Sequence, residues 1–174
     1  MGVLRYVKRT QKSADVSVRR TTELVLLARS EDIKAHSIRL DLRLDTDFVV
    51  HMPEASVAQV LDNIVDNAIY WLKQKGEEDD RRLRIELDSK RKNLLISNNG
   101  AAVQPNIKRN LFVVPFITSK PEGRGLGMYV VSEILKQYGG RINVASPEQE
   151  PRLLAGAAFC MDFEKAVRTQ QGGS

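Results

Sequence analysis

One stretch limits what this chain can fold into more than any other: Ala55 to Leu72, where Val57, Val60, Leu61, Ile64, Val65, Ala68, Ile69 and Leu72 recur at steps of three and four. On a helix of about 3.6 residues per turn that spacing gathers them into one broad apolar stripe, which has to face a core. Asn63 and Asn67 then fall side by side at one border of the stripe, where their amides reach into a cavity beside the core. A carboxamide pair in that position suits a ligand.

Downstream, the run Gly123, Arg124, Gly125, Leu126, Gly127 opens a second helical pattern, Leu126 to Tyr138, in which Val130, Val131, Ile134 and Leu135 share a face. A glycine-rich turn at a helix start exposes backbone N–H groups near the positive end of the helix dipole, which suits a phosphate chain. The turn is no dinucleotide fingerprint, because no strand immediately precedes it and the third glycine comes two residues after the second rather than three. It also lacks the Gly-Lys-Ser/Thr of a P-loop. Lys120 and Arg124 flank it and can neutralise phosphate oxygens.

Composition narrows the class. With 174 residues, 42% of them apolar, one well-buried domain is expected. Cys160 is the single cysteine, so no internal disulfide forms, and no leader-like or long apolar run points to export or a membrane span. The expected compartment is the cytoplasm. The net charge of +5 is concentrated in residues 1–34, but Arg5, Lys8, Arg9, Lys12, Arg19 and Arg20 are not interleaved with stacking aromatics. They read as a solvated helical face rather than a nucleic-acid surface.

Taken in order, residues 1–13 form a polar linker stub, and Ser13 to Ala35 is predicted as one helix with Ser13 as N-cap and Asp15 in the first turn. The alternation of Ser37 to Leu44, with Ile38, Leu40, Leu42 and Leu44 inward, predicts a strand hairpinned through Asp45–Asp47 to a second strand, Phe48 to Met52. Pro53 starts the asparagine helix, and Gly76 with the acidic run 77–80 ends it. Strands follow at Arg82 to Asp88 and Asn93 to Asn98, then an aperiodic flap from Val103 to Pro121, then strands at Arg141 to Ser146 and Gly156 to Phe163. Residues 164–174 read as a flexible tail.

The order of these features resembles a known superfamily. Asn63, Asn67 and Ala68 on a helix, Asn98, Asn99 and Gly100 ending a strand, Pro115, Phe116, Thr118, Ser119 and Lys120 in the flap, and the glycine turn resemble the N, G1, F and G2 boxes of the Bergerat-fold ATPases. That superfamily includes gyrase B, the ninety-kilodalton heat-shock chaperone, sensor histidine kinases and MutL proteins. The run Pro115 to Ile134 is most similar to the catalytic, ATP-binding domain of sensor histidine kinases.

The resemblance implies an α/β two-layer sandwich over residues 14–163, with a mixed, mostly antiparallel sheet covered on one face by helices and ATP held under a lid. Asn67 would be the Mg²⁺ ligand, Asn63 would sit near the phosphates and serve catalysis with Lys120, and Asn98 and Gly100 would meet the adenine. Gly123, Arg124, Gly125, Leu126 and Gly127 would meet the phosphates, while Phe112, Phe116 and Thr118 would shape the lid and its hinge.

Three departures stand out. Asn98 replaces the aspartate that accepts the adenine amino hydrogen, removing a charge-assisted bond. Ala102 replaces the second G1 glycine. Asn63 stands where hydrolytic branches place a water-activating glutamate, and an amide is no general base, which favours the kinase branch. The implied activity is presentation of ATP·Mg²⁺ to a histidine on a helical dimerisation domain, since His36 and His51 both lie outside a helical acceptor context. The alternatives are an ATP-gated switch inside a larger ATPase and a nucleotide-free interaction module.

Overall fold

The computed structural model describes residues 12–76, 78–118, 125–146, 150 and 152–167. The predicted asparagine helix is its centre: α3 spans Glu54–Lys73, and all eight residues of the apolar stripe are at most 3% exposed. Pro53, in extended conformation, is the N-cap rather than the first helical residue. Truncating Leu61 or Ile64 there to alanine is a change that costs roughly 2–5 kcal/mol.

Strands β4 (Arg82–Asp88) and β5 (Asn93–Asn98) match the expected strands and pair antiparallel, with Ile85 opposite Ile96. Around them lie β2 (Arg39–Arg43), β6 (Arg141–Val144) and β7 (Ala158–Asp162), giving the order β2-β4-β5-β7-β6. Only the β2–β4 pair of this sheet is parallel. Leu83, Ile85, Leu94, Ile96, Phe159 and Met161 alternate toward the helical side and are almost fully buried. After the one-turn helix α4 (Pro105–Lys108), the helix α5 (Gly127–Gln137) packs beside α3 and, through Gly139 at φ +78°, turns into β6. The sandwich implied by the resemblance is therefore the fold.

The first third of the chain differs from its sequence reading. In place of one helix from Ser13, Ala14–Ser17 forms β1, followed by α1 (Val18–Ala28) and α2 (Ser30–Ala35). Ser17, not Ser13, is the N-cap: its hydroxyl accepts from Arg20 N at 3.0 Å and donates to Asp47 at 2.6 Å. Asp15 lies in a strand, with its carboxylate 2.8 Å from His51 Nδ1 on the facing strand.

The predicted hairpin is also replaced. Strand β3 (Val49–Met52) pairs antiparallel with β1, while β2 pairs with β4. The cause is tertiary: Asp47 is held by Ser17 and by Arg19 N, and Phe48 is buried against Phe163 with ring centroids 5.8 Å apart, so the chain is drawn off the sheet after β2. Leu40 and Leu42, expected inward, are 37% and 44% exposed because β2 is an edge strand.

Past the expected domain end, Glu164–Ala166 forms a 3-10 turn with Ala166 buried in the main core. Cys160 is half-buried against a small cluster on the outer sheet face, and burial pushes its thiol up to about 11, so it stays protonated near neutral pH. Among the described residues no helix is long and apolar enough to cross a membrane.

Candidate functional site

A cleft of ≈ 320 Å³ opens where α3, the flap and the start of α5 meet. Its volume is that of a small-molecule site. One wall is a face of α3 carrying Asn63, Asp66, Asn67 and Trp71, residues that fall together because they are three, four and eight positions from the first. Opposite stand Gly125, Leu126, Gly127 and Met128. The rest of the lining is largely apolar and includes Val103, Ile107, Leu111, Ile117 and Phe159.

The polar part of the lining includes Asn63, Asp66 and Asn67 on α3. Asn63 donates from Nδ2 to Gln59 O at 2.9 Å, which fixes its amide, and its Oδ1 points toward α5: a Cβ on Gly127 would lie 3.2 Å from that oxygen. Among the described residues nothing hydrogen-bonds the Asn67 amide, so its oxygen is available to a hard cation. Leu126, the N-cap of α5, makes no side-chain capping bond, so it leaves the first-turn N–H groups at the cleft uncapped by its own side chain. Gly125 holds φ +64°, and a Cβ there would come within 2.4 Å of Phe116 C, so only glycine allows the Phe116 N–H to reach Gly125 O at 3.0 Å. This residue set fits a magnesium triphosphate.

Of the residues expected at the base, Asn98 and Gly100 do not themselves line the cleft. Asn98 is 1% exposed, its Oδ1 accepts from Gly100 N at 2.9 Å, and its Nδ2 donates to Ala157 O at 3.3 Å. It braces the turn behind the cleft, and Ala101 and Ala102 form the lining instead. Gly100 also stands behind the wall, in contact with the backbone of Trp71.

Of the flap residues, Thr118 lines the cleft, whereas Phe116 is 64% exposed with φ +67° and points away. Phe112 anchors the flap edge-on to Phe159 at 6.1 Å. Lys120, Gly123 and Arg124 lie outside the described residues. Asp66 and Trp71 are not among the site residues expected from the sequence, although their spacing from Asn63 sets them on the same face. Ala157 and Phe159 come from the distant β7 region, and no local signal could have found them.

Residues 52–166 match the family described as histidine kinase-, DNA gyrase B-, and HSP90-like ATPase. The C4-dicarboxylate transport sensor protein DctB of Rhizobium meliloti is 30% identical over 145 residues, covering 82% of this chain and 22% of that protein. The sensor histidine kinase AruS of Pseudomonas aeruginosa is 28% identical, with 94% of this chain and 17% of that protein covered. Among solved structures, the catalytic domain of histidine kinase ThkA has a TM-score of 0.69 at 24% identity, covering 86% of this chain and 93% of that one. The mycobacterial sensor histidine kinase MprB has a TM-score of 0.68 at 19% identity, covering 85% and 95%. The chain thus belongs to the histidine kinase-, DNA gyrase B- and HSP90-like ATPase family. Its curated relatives include sensor proteins and sensor histidine kinases, its structural neighbours include histidine kinase catalytic domains, and it spans only a minor part of the length of those curated relatives.

Proposed function

We propose that this domain binds ATP·Mg²⁺ in the α3–α5 cleft and presents the γ-phosphate to a histidine supplied by another domain or chain. The observation that carries the proposal is the approach of Asn63 on α3 to the glycine-flanked start of α5, where a Cβ on Gly127 would lie 3.2 Å from Asn63 Oδ1, in a cleft that Asn67 also lines. Asn67 would hold the cation, which when bound neutralises and orients the triphosphate. Asn63 and the N–H groups of Gly127 and Met128 orient phosphate oxygens, and the resemblance adds Lys120, Gly123 and Arg124 to the same group. The apolar part of the lining takes the base and keeps water from it.

Catalysis of this kind rests on positioning and charge compensation rather than on a proton-abstracting group of this chain. His36 and His51 are occupied elsewhere: His36 Nδ1 lies 2.8 Å from Asp32 O at the end of α2, and His51 faces Asp15 in the β1–β3 pair. The acceptor histidine therefore comes from outside these elements, on a dimerising helical domain, with the catalytic domain on the cytoplasmic side. A solved structure shows histidine kinase ThkA in complex with a response regulator protein, and a regulator is the expected downstream partner here.

The test is calorimetric titration with a nonhydrolysable ATP analogue, with and without Mg²⁺, on the chain and on Asn67→Ala. Binding that strengthens with Mg²⁺ and loses that dependence in Asn67→Ala is the expected result. Equal Mg²⁺ dependence in both proteins would remove Asn67 as the ligand, and no binding by either would leave the nucleotide-free interaction module as the reading.

A further inference from the structure

Arg29 sits at the joint between α1 and α2, and its guanidinium reaches across to α3. Nε and Nη2 donate to the two oxygens of Asp62, each at 2.8 Å, and Nη1 donates to Asp66 Oδ1 at 3.2 Å. Asp62 and Asp66 are one helical turn apart, so a single planar cation spans both. The hydrogen bond to Asp62 comes first among the interactions that raise the guanidinium's pKa above its ordinary value, so the positive charge is permanent.

The two carboxylates are not equivalent. Asp66, with its side chain 53% exposed, lines the cleft between Asn63 and Asn67, whereas Asp62 does not line it. A carboxylate at that spot faces the part of the cleft assigned above to the triphosphate, where an uncompensated negative charge repels a polyanion. Other nearby charge is already committed, because Lys73 pairs with Asp32 at 3.4 Å. Among the described residues no cation except Arg29 stands within ion-pair distance of Asp62 or Asp66.

We propose that Arg29 is a positioning residue for nucleotide: acting through Asp66, it offsets part of the carboxylate charge beside the triphosphate and lets a polyanion settle there. The inference rests on the nucleotide-binding reading. It also gives a role in the site to a residue outside the segment matched by the family. The coupling runs from the α1–α2 joint to the cleft wall, so a displacement of α1 that withdraws Arg29 exposes the Asp66 charge and lowers nucleotide affinity.

The experiment is calorimetric titration of a nonhydrolysable ATP analogue into the chain, Arg29→Met, Asp66→Asn, the double variant and Asp62→Asn. Each is measured with and without Mg²⁺ at low and moderate salt, alongside a thermal melt of the nucleotide-free protein. Arg29→Met is expected to weaken Mg²⁺-free binding by about tenfold at low salt, a loss that shrinks as salt or Mg²⁺ screens the exposed carboxylate. The double variant returns to within about threefold of the parent, because the offending charge is gone. Asp62→Asn lowers the melting temperature but leaves affinity alone, which separates charge compensation from helix packing.

The proposal is overturned if Arg29→Met binds as the parent does, if the double variant is no better than Arg29→Met, or if Asp62→Asn weakens binding as much as Arg29→Met. Should Arg29→Met not fold, Asp66→Asn decides alone: tighter Mg²⁺-free binding supports the proposal, and unchanged binding overturns it. If the parent chain binds no analogue at all, the nucleotide reading itself falls and takes this one with it. Parent binding combined with indifferent variants removes only the role of Arg29.

Discussion

The backbone of Trp71 passes so close to Gly100 that a Cβ on Gly100 would lie 3.0 Å from both the carbonyl carbon and the carbonyl oxygen of Trp71. This contact sets α3 against the end of β5, and with it the width of the cleft. Gly156 completes the arrangement from the other side, since a Cβ there would stand 2.4 Å from Gly100 O and 2.5 Å from Asn98 O. Gly100→Ala is expected to cost about 1–3 kcal/mol, and Gly156→Ala about 3 kcal/mol or more, because its Cβ would overlap backbone carbonyl oxygens at 2.4 and 2.5 Å, against 3.0 Å at Gly100. Chemical denaturation of the two variants checks the order; a more stable Gly156→Ala than Gly100→Ala would contradict it.

Gly125 joins the flap to the start of α5 by a backbone hydrogen bond with Phe116 at 3.0 Å. Alanine at 125 meets the Phe116 and Ile117 backbone and must also adopt a positive φ, a strain of about 1–2 kcal/mol on conformation alone. We expect Gly125→Ala to detach the flap while leaving the sheet intact. Amide hydrogen exchange should then speed up at residues 111–118 and stay slow in β4 and β5, whereas a uniform increase would show that the whole fold had loosened.

Asn98→Asp places a buried carboxylate with one oxygen on Gly100 N–H and the other facing the Ala157 carbonyl. Burial and that carbonyl disfavour the charged form, so the new group's folded pKa lies above its unfolded one. A raised folded value contributes stability at low pH that is lost as pH rises, so the variant's deficit should be small near pH 4 and reach roughly 1–3 kcal/mol at pH 7. Melting temperatures of parent and variant across that range provide the measurement; a deficit independent of pH would show that the carboxylate is solvated or paired.

Asp162 provides the opposite sign. Burial pushes its carboxyl up, but the Glu164 N–H at 2.9 Å and Arg141 at 2.7 Å outweigh that and hold it below its ordinary value of 3.8. A depressed folded value contributes stability that is complete above the unfolded pKa and is lost as pH falls through the folded one. Asp162→Asn should therefore cost roughly 1 kcal/mol at pH 7, and its gap from the parent should hold down to pH 5 and close below 3.8. A gap that stays open in acid would assign the cost to packing between β6 and β7.

Periodicity determined α3 and α5, because in each the apolar pattern repeats within one element and needs no knowledge of its neighbour, and β4 and β5 were legible as individual strands. The eight stripe residues of α3, the face shared by Asn63 and Asn67, and the glycine at 125 that must turn where no side chain fits are all local facts. What a strand pairs with is not local. The alternation of residues 38–44 is satisfied equally by a hairpin to β3 or by a parallel ladder on β4, and the choice was made by Asp47 bonding to Ser17 and by Phe48 packing on Phe163.

The cleft divides in the same way. The helical spacing of Asn63, Asp66, Asn67 and Trp71 was present in the sequence, but the turn of Asn98 inward to Gly100 and Ala157 depended on residues nearly sixty positions away. The bond from Arg29 to Asp62 and Asp66 likewise spans more than thirty positions. Such pairings are decided by which surfaces meet when the core closes, and only the tertiary structure brings them together.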